Sequence, residues 1–240
     1  MKRNGCLAAG MVLWGVASSC WAWGSLIMMD SRPQQDVVSI GGQVMSLPRA
    51  PGSASSSQAL IPGFDYYGRS GIFVSTENGV GWNASTNVHW VAGLRMWPQF
   101  GRSKSEASHA PAVGDRLQMQ EFANWMPNEV LMLQSAVSEG SGLGRHGVQS
   151  EWGLTSGIPL GSDLLGVGVS ATWANRDYQH SYLGRTGSGW ADWSWTASTT
   201  HRFNARWHLD AQWQWAHLIG PAPGLQSRQE GGLIALWYDY

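Results

Sequence analysis

The feature of this sequence that most restricts its fold is an alternation of apolar and polar residues at every second position. Between residues 80 and 100 the even positions carry mainly Val, Trp, Ala, Leu and Met, whereas the odd positions carry mainly Gly, Asn, Ser, His, Arg and Gln. The same period of two continues over residues 148–160, 165–173 and 207–215. A helix would repeat its apolar residues about every 3.6 positions, so the pattern predicts β-strands with one apolar and one polar face.

Two architectures use such strands: a soluble sandwich with the apolar faces inside, and a membrane barrel with the apolar faces outside. The alternating segments run over about 10 to 14 residues, which suits tilted transmembrane strands of about 9 to 11 residues better than soluble strands of about 5 or 6. Four tryptophans near segment ends fit an interfacial girdle: Trp97, Trp125, Trp173 and Trp190. We therefore predict an all-β fold, a transmembrane antiparallel up-and-down β-barrel.

Composition and charge exclude several other classes of protein. Sixteen acidic residues oppose fifteen Lys and Arg, and the net charge of −1 provides no basic field that would attract nucleic acid. With 43% hydrophobic and 13% charged residues the chain is not of the disordered type, and its 31 glycines favour strands and turns. The seven histidines show no metal-ligand spacing, and no motif indicates a cofactor.

Residues 1–22 have the pattern of an export signal. Two basic residues precede the apolar stretch 6–17, and Cys20-Trp21-Ala22 forms a small-x-small cleavage site. Cleavage after Ala22 would leave residues 23–240 as the outer-membrane barrel, without a cysteine and hence without disulfides or thiolate sites. The alternatives are a membrane anchor, for which the apolar stretch is short, and lipidation at Cys20, for which the preceding residues match poorly.

The last strand adds a targeting feature. Ile234, Leu236, Tyr238 and Tyr240 share one face and end on an aromatic residue. This resembles the terminal strand signal by which the barrel-assembly machinery recognises outer-membrane barrels. The alternative interpretation is an ordinary edge strand.

The number of strands follows from the alternating segments and from a parity rule. Eleven segments can be marked, near residues 37–47, 58–67, 72–83, 87–100, 116–126, 128–138, 147–160, 163–174, 189–203, 205–219 and 229–240. Bacterial barrels of this kind have an even number of strands with both ends on the periplasmic side. From residue 72 onward, long connections, expected on the extracellular side, alternate with short ones, expected on the periplasmic side. The error in the strand count therefore lies near the N-terminus. A first strand within residues 23–29 would give twelve, and placing residues 37–47 outside the wall would give ten.

Three stretches carry a resemblance to a known family. Pro48, Gly52 and Ser53 begin a progression that continues through residues 61–67 and 71–83, and Gly101-Arg102 closes the strand that follows. The third and most specific stretch is residues 173–184, with Trp173, Asp177, Tyr178, Tyr182 and Gly184. Together they resemble the MipA/OmpV family, the MltA-interacting outer-membrane scaffolding proteins.

The resemblance implies a non-enzymatic barrel in the Gram-negative outer membrane, in contact with its lipid. It further implies a scaffold that holds a murein transglycosylase together with a murein synthase. The sequence departs from the family pattern at Gln179, at Leu183, after the Gly-Ser pair, and in the loop 220–228, which lacks the family's Asp-Ser-Pro. These departures bear on the partner more than on the fold.

The predicted inner face carries polar residues of the types that occur in catalytic sites. Arg206, His208 and Asp210 alternate on one strand and are expected to form a charge-paired ladder in the lumen, either as satisfied lining groups or as part of a catalytic set. His89 and Arg95 line another strand. Residues 177–182 form either a structural hairpin or a loop site, and the family pattern favours the hairpin.

Three functions remain after these observations. The favoured one is a scaffold for the cell-wall machinery, because a closed wall satisfies its backbone groups in lipid and presents loops at its rims. A small channel is the alternative, although Arg206, Asp210, His89, Arg95 and Trp97 are expected to narrow the lumen. A barrel hydrolase acting through His208 is the third. No catalytic residue, metal or cofactor is predicted.

Overall fold

The computed structural model describes residues 31–48, 50–54, 56–99, 102, 112–141 and 147–240. Twelve antiparallel strands follow one another around a closed barrel, and β1 pairs with β12 to complete it. The strands are β1 Val37–Pro48, β2 Ser56–Tyr67, β3 Ile72–Ser75, β4 Gly79–Asn83, β5 Trp90–Gln99, β6 Arg116–Asn128, β7 Leu131–Ser141, β8 Val148–Leu160, β9 Asp163–Ala174, β10 Gly189–Arg202, β11 Trp207–Leu218 and β12 Arg228–Asp239. A short helix α1, Arg176–Tyr178, and a π-helix, Gln179–Leu183, lie between β9 and β10. Among the described residues, no helix is long and apolar enough to cross a membrane.

The apolar faces of the strands point outward. Large apolar side chains are exposed around the wall: Ile40, Val44, Leu60, Phe64, Trp82, Leu94, Met119, Val137, Trp152, Leu154, Val167, Val169, Trp193, Trp213, Ile234 and Leu236. Polar side chains are buried inside: Gln43, Arg95, Gln118, Gln120, Asn124, Gln134, Glu151, Thr172 and Ser194. This distribution is the reverse of a soluble sandwich and confirms the predicted barrel, because a wall of this kind is stable only against hydrocarbon.

The predicted total of twelve strands is confirmed, but the position of the additional strand is not. Residues 72–83, predicted as one strand, divide into β3 and β4 around the turn 76–78, where the Ser75 hydroxyl accepts hydrogen bonds from the N–H groups of Glu77 and Asn78 at 3.1 and 2.9 Å. Residues 23–29 lie outside the described part of the chain, and β1 is already paired on both edges, so the wall closes without them. The ten-strand alternative is wrong, because residues 37–48 belong to the wall.

The barrel has two different ends. Five connections at one end, which we call the turn end, span residues 68–71, 84–89, 129–130, 161–162 and 203–206. Those at the opposite end, which we call the loop end, include residues 49–55, 100–115, 142–147, 175–188 and 219–227. The expected asymmetry is therefore present, and it assigns the turn end to the periplasm.

The short β3–β4 hairpin leaves two strand edges without a partner among the described residues. β2 pairs with β3 only from Asp65 to Tyr67, and β5 pairs with β4 only from Gly93 to Met96. The N–H of Phe64 donates to Oγ1 of Thr76, which follows β3. Phe64 and every second residue before it on β2, including Pro62, therefore direct their backbone groups to the edge on the β3 side. On β5 the backbone carbonyl of Ala92 accepts from the N–H of Ala84, so the backbone groups of even-numbered residues are directed to the β4 side. Pro98 is one of these residues and lies beyond the paired length of β4. Proline suits both positions because it has no N–H to leave unpaired.

Three of the four predicted girdle tryptophans lie on the outer face. Trp125 stacks on Trp90 with ring centroids 6.3 Å apart, and Trp190 meets Trp152 edge-on at 5.8 Å. Trp173 is half-buried opposite Trp190 on the neighbouring strand. Trp97 is an exception: it is buried in the lumen, where the guanidinium of Arg95 lies 4.3 Å from its ring centroid. Odd-numbered positions on β5 face inward, so Trp97 lies in the lumen although it is near the end of the strand.

Candidate functional site

The first motif stretch forms a tight loop at the loop end. Gly52 N–H donates to Oε1 of Gln229 at 2.8 Å, and Nε2 of Gln229 donates back to the carbonyls of Ser53 and Ala50 at 3.0 and 3.2 Å. Gly52 has a φ of +80°, and a Cβ there would lie 2.9 Å from the side chain of Leu225. The position therefore requires glycine. Pro48 is the last, buried residue of β1 before this loop.

The most specific stretch, residues 173–184, folds over the same end. Asn175 caps α1, its Oδ1 accepting hydrogen bonds from the N–H groups of Tyr178 and Val148 at 3.0 and 3.1 Å. Tyr178 stacks on Tyr182 with centroids 4.5 Å apart, and both rings are buried. Burial raises the pKa of the Tyr178 hydroxyl, so this group stays neutral. Gly184, with a φ of 65°, ends the π-helix.

Arg102 joins these two stretches. Its Nη1 donates to the carbonyls of Pro51 at 2.7 Å and Tyr182 at 3.1 Å, and its Nη2 donates to those of Ser181 and Tyr182. The Tyr182 hydroxyl in turn donates to Oε1 of Gln99, which also accepts from Nε of Arg116. We call residues 50–54, Arg102 and 175–188 the cap, since they pack across the loop end.

The cap places most of the motif residues in one packed structure, as the hairpin interpretation predicts. Tyr178, Tyr182 and Leu183 belong to an apolar cluster with Val113, Ala174, Ala191 and Leu218. Asp177, by contrast, is exposed on the surface of the cap. The polar groups of these packed motif residues hold the loops of the cap together.

Two residues of this region were not singled out from the sequence. Gln229 holds the first loop, and Arg185 Nη1 donates to the carbonyls of Ile219 and Trp190, each at 2.9 Å. Gln229 is 177 residues away from Gly52 in the chain. The alternation along the last strand predicts only that Gln229 faces inward, and not which groups it binds.

The predicted polar ladder at the turn end holds for two of its three residues. Nε2 of His208 lies 3.6 Å from a carboxylate oxygen of Asp210, and its Nδ1 lies 3.3 Å from Asp239. Arg206 is the exception: it precedes β11, and its Nη1 donates to the hydroxyl of the outward-facing Tyr238 at 2.7 Å. The lumen ladder is therefore His208, Asp210 and Asp239.

A cavity of about 750 Å³ lies at the turn end, and we call it the vestibule. Its lining includes the acidic and basic side chains of Arg32, Asp163, Arg202, His208 and Asp210. Apolar side chains form much of the remainder: Val37, Phe73, Met126, Leu131 and Leu164. The barrel thus has a packed cap at one end and a hollow at the other.

The contacts around His208 do not form a nucleophile–base pair. The Thr200 hydroxyl donates to Asp210 at 2.6 Å, so its proton is directed to the carboxylate and not to the imidazole. His89 is exposed in the turn before β5, where its Nδ1 lies 3.0 Å from the carbonyl of Met126, and Arg95 donates to Gln120 inside the lumen. His180 is exposed on the cap. Within the described ranges, no group of three or more His, Cys, Asp or Glu residues is arranged to hold a metal ion.

Comparisons with known proteins place this geometry in context. An outer-membrane channel from Pseudomonas putida F1 has a TM-score of 0.48 and 9% identity, covering 88% of this chain and 97% of its own. The NanC porin has a TM-score of 0.47 and 11% identity, covering 84% of this chain and 98% of its own. No curated protein matches the chain. Residues 40–222, more than half of the sequence, match the family described as MltA-interacting protein MipA. The chain is therefore an outer-membrane β-barrel protein that belongs to the MipA family.

Proposed function

We propose that this protein is a non-enzymatic scaffold of the cell envelope, which holds a murein transglycosylase together with a murein synthase. The family match carries the proposal, because the family is described as interacting with MltA. The packed cap favours a structural role, since its buried hydrogen bonds tie three separate segments across the loop end. The turn end faces the periplasm, where murein lies, so partners would bind there.

The proposal extends to how the chain reaches the membrane and lies in it. Residues 1–22 are removed on export, the outer apolar band contacts outer-membrane lipid, and the terminal strand is recognised by the barrel-assembly machinery. Sequencing the N-terminus of the purified outer-membrane protein checks the first step, with Trp23 as the expected first residue. A protein that begins at Met1 would contradict it.

Site-specific crosslinking tests the scaffold directly. A photoreactive amino acid at Ala205, in the turn 203–206, should capture a murein transglycosylase and a murein synthase from intact envelopes, identified by mass spectrometry. The same amino acid at Asp177, exposed on the cap at the opposite end, is the matched control and should capture neither. Capture of other envelope proteins alone from Ala205 would contradict the proposal.

A small channel is the second candidate, and the vestibule is the observation that favours it. Passage would require the cap to open, since Arg102 and Tyr182 are buried across the loop end. Planar-bilayer recording distinguishes the two functions: a steady conductance that increases in the Arg102→Ala variant would support a channel. A scaffold predicts no steady conductance in the native protein.

A further inference from the structure

Arg206 lies on the outer surface of the barrel, at the edge of the apolar band. It is the last residue of the turn 203–206, and its Nη1 donates to the hydroxyl of Tyr238 at 2.7 Å. Tyr238 faces outward because it shares the parity of the exposed Ile234 and Leu236 on β12. This hydrogen bond therefore holds the guanidinium against the outer wall and away from the mouth of the lumen.

Aromatic side chains surround this arginine. The guanidinium carbon of Arg206 lies 5.9 Å from the ring centroid of Tyr238, and that ring meets Trp207 and Tyr240 edge-on at 5.1 and 5.0 Å. Trp207 and Tyr240 are both exposed. Rings of this kind mark the boundary between hydrocarbon and headgroups in outer-membrane barrels. Since the turn end faces the periplasm, Arg206 lies at the height of the headgroups of the periplasmic leaflet.

Most of the hydrogen-bonding capacity of Arg206 is unused. Within the described part of the chain, its guanidinium makes no ion pair and donates only to Tyr238. Arg202, at the same end, differs in this respect, because its Nη1 lies 3.7 Å from Asp239. The Tyr238 hydroxyl accepts from Arg206 and donates to no described residue. A guanidinium and a hydroxyl thus offer adjacent donors to an anion outside the wall.

The outer wall next to this pair is apolar and contains a gap. Tyr238 is paired with Ile40 on β1, and Leu236 is paired with Gly42. The side chains of Ile40 and Leu236 are exposed, whereas Gly42 has none, and a Cβ there would meet no atom within 4 Å. An acyl chain can lie in this gap while a negative headgroup stays beside Arg206. The surface therefore fits an anionic group that is carried on an acyl chain.

We propose that Arg206 and Tyr238 bind the phosphate group of a phospholipid in the periplasmic leaflet, with an acyl chain against Ile40, Gly42 and Leu236. A guanidinium binds phosphate oxygens through two parallel N–H groups, which Nε and Nη2 of Arg206 supply, and the Tyr238 hydroxyl adds a third donor. A soluble phosphate would use these donors without the apolar wall, so a membrane lipid fits the whole site better. The site needs no murein enzyme and stands apart from the scaffold role.

Native mass spectrometry of the full-length protein purified in detergent tests the proposal. Dioleoyl-phosphatidylglycerol is the probe, and dioleoylglycerol, which has the same acyl chains and no phosphate, is the neutral control. Arg206→Ala should weaken binding of the phospholipid about fivefold, which corresponds to the roughly 1 kcal/mol that one basic residue contributes at a lipid surface. Binding of dioleoylglycerol should not change. Arg176→Ala removes an exposed arginine at the opposite end and should leave the binding of both lipids unchanged.

Two further measurements test the hydroxyl and the acyl chain separately. Tyr238→Phe keeps the ring and should also weaken phospholipid binding, because it removes one donor and the hydrogen bond that orients Arg206. Glycerol phosphate, which carries the phosphate without acyl chains, should bind far more weakly than the phospholipid, and equal binding would overturn the assignment to a lipid. Unchanged phospholipid binding in Arg206→Ala, or an equal loss of dioleoylglycerol binding, would overturn the proposal as a whole.

Discussion

At the scale of single residues, one part of the lumen depends on two positions that carry no side chain. Trp237 is buried inside the barrel against Gly41 and Gly63, which face each other on β1 and β2. A Cβ built on Gly63 would lie 2.6 Å from Cη2 of Trp237, well inside van der Waals contact. The indole therefore fills this space only because both positions are glycine.

We expect Gly63→Ala to lower the free energy of unfolding by about 1 to 3 kcal/mol, because the added methyl group overpacks the lumen and displaces the indole. Urea unfolding in detergent micelles, followed by tryptophan fluorescence, measures the change. Gly42→Ala is the matched control, since a Cβ at that neighbouring, outward position meets no atom within 4 Å. Equal stability of the two variants would contradict this account of the packing.

The residue scale also shows how far alternation predicts side-chain direction. Asp210 and His208 point into the lumen as expected, because they lie within the paired length of β11. Arg206 shares their parity but lies in the turn before the strand, where the alternation no longer fixes direction. Asp239 was not predicted as a neighbour of His208, because their proximity depends on the pairing of β11 with β12 and not on local sequence.

At the scale of elements, the cap is held by contacts between distant segments. Arg102 is 2% exposed and donates to carbonyls 51 and 80 residues away in the chain. Each buried carbonyl that loses such a donor costs about 1 to 3 kcal/mol. The cap should therefore loosen as a unit when this one side chain is shortened.

For Arg102→Ala we expect rapid proteolytic cleavage within residues 175–188, while the barrel itself stays resistant. Limited digestion of protein in detergent, read by mass spectrometry, locates the cut. Arg176→Ala removes an exposed arginine from the same cap and should leave the digestion pattern unchanged. Protection of this segment in both variants would show that Arg102 does not hold the cap.

The terminal strand gives a second prediction for an element. Tyr240 is 76% exposed, and its ring meets that of Tyr238 edge-on at 5.0 Å. Because the side chain contributes little to packing, Tyr240→Ser should leave the stability of the refolded barrel unchanged. If the aromatic end is the assembly signal, the variant should nevertheless accumulate less in outer membranes, measured by immunoblotting of fractionated cells. Normal accumulation would leave Tyr240 without that role.

The division of residues 72–83 into two strands shows why element boundaries were only partly predictable. Ser75 and Gly79 pair across the turn, four positions apart, so the alternation of period two passes through it in phase. A pattern that does not change phase cannot reveal a reversal of direction. The boundary between β8 and β9 was predicted correctly although only two residues separate these strands, because the outward positions change there from even numbers, as at Trp152, to odd numbers, as at Val167.

At the scale of the whole molecule, the sequence predicted a closed, sided barrel, and the structure identifies the strands that close it. β1 and β12 pair from Ser39 with Asp239 to Ser46 with Gly232. Closure satisfies the backbone groups of both terminal strands, which lipid could not do. Neither the identity of the closing pair nor its register follows from the local pattern, since both depend on the total number of strands.

A disulfide across the closure tests both the pair and its register. Val44 and Ile234 face each other on β1 and β12, and both side chains point outward. In a background with Cys6 and Cys20 replaced by Ser, Val44→Cys with Ile234→Cys should form a disulfide on mild oxidation, because directly opposed Cβ atoms lie about 4.5 to 5.5 Å apart. Boiled, unreduced protein should then migrate on a denaturing gel as a compact ring, and reduction should restore the linear mobility. Val44→Cys with Leu236→Cys, shifted by two residues, should crosslink poorly because the diagonal distance is about 7 to 8 Å. More efficient crosslinking of the shifted pair would mean that the barrel closes in a different register.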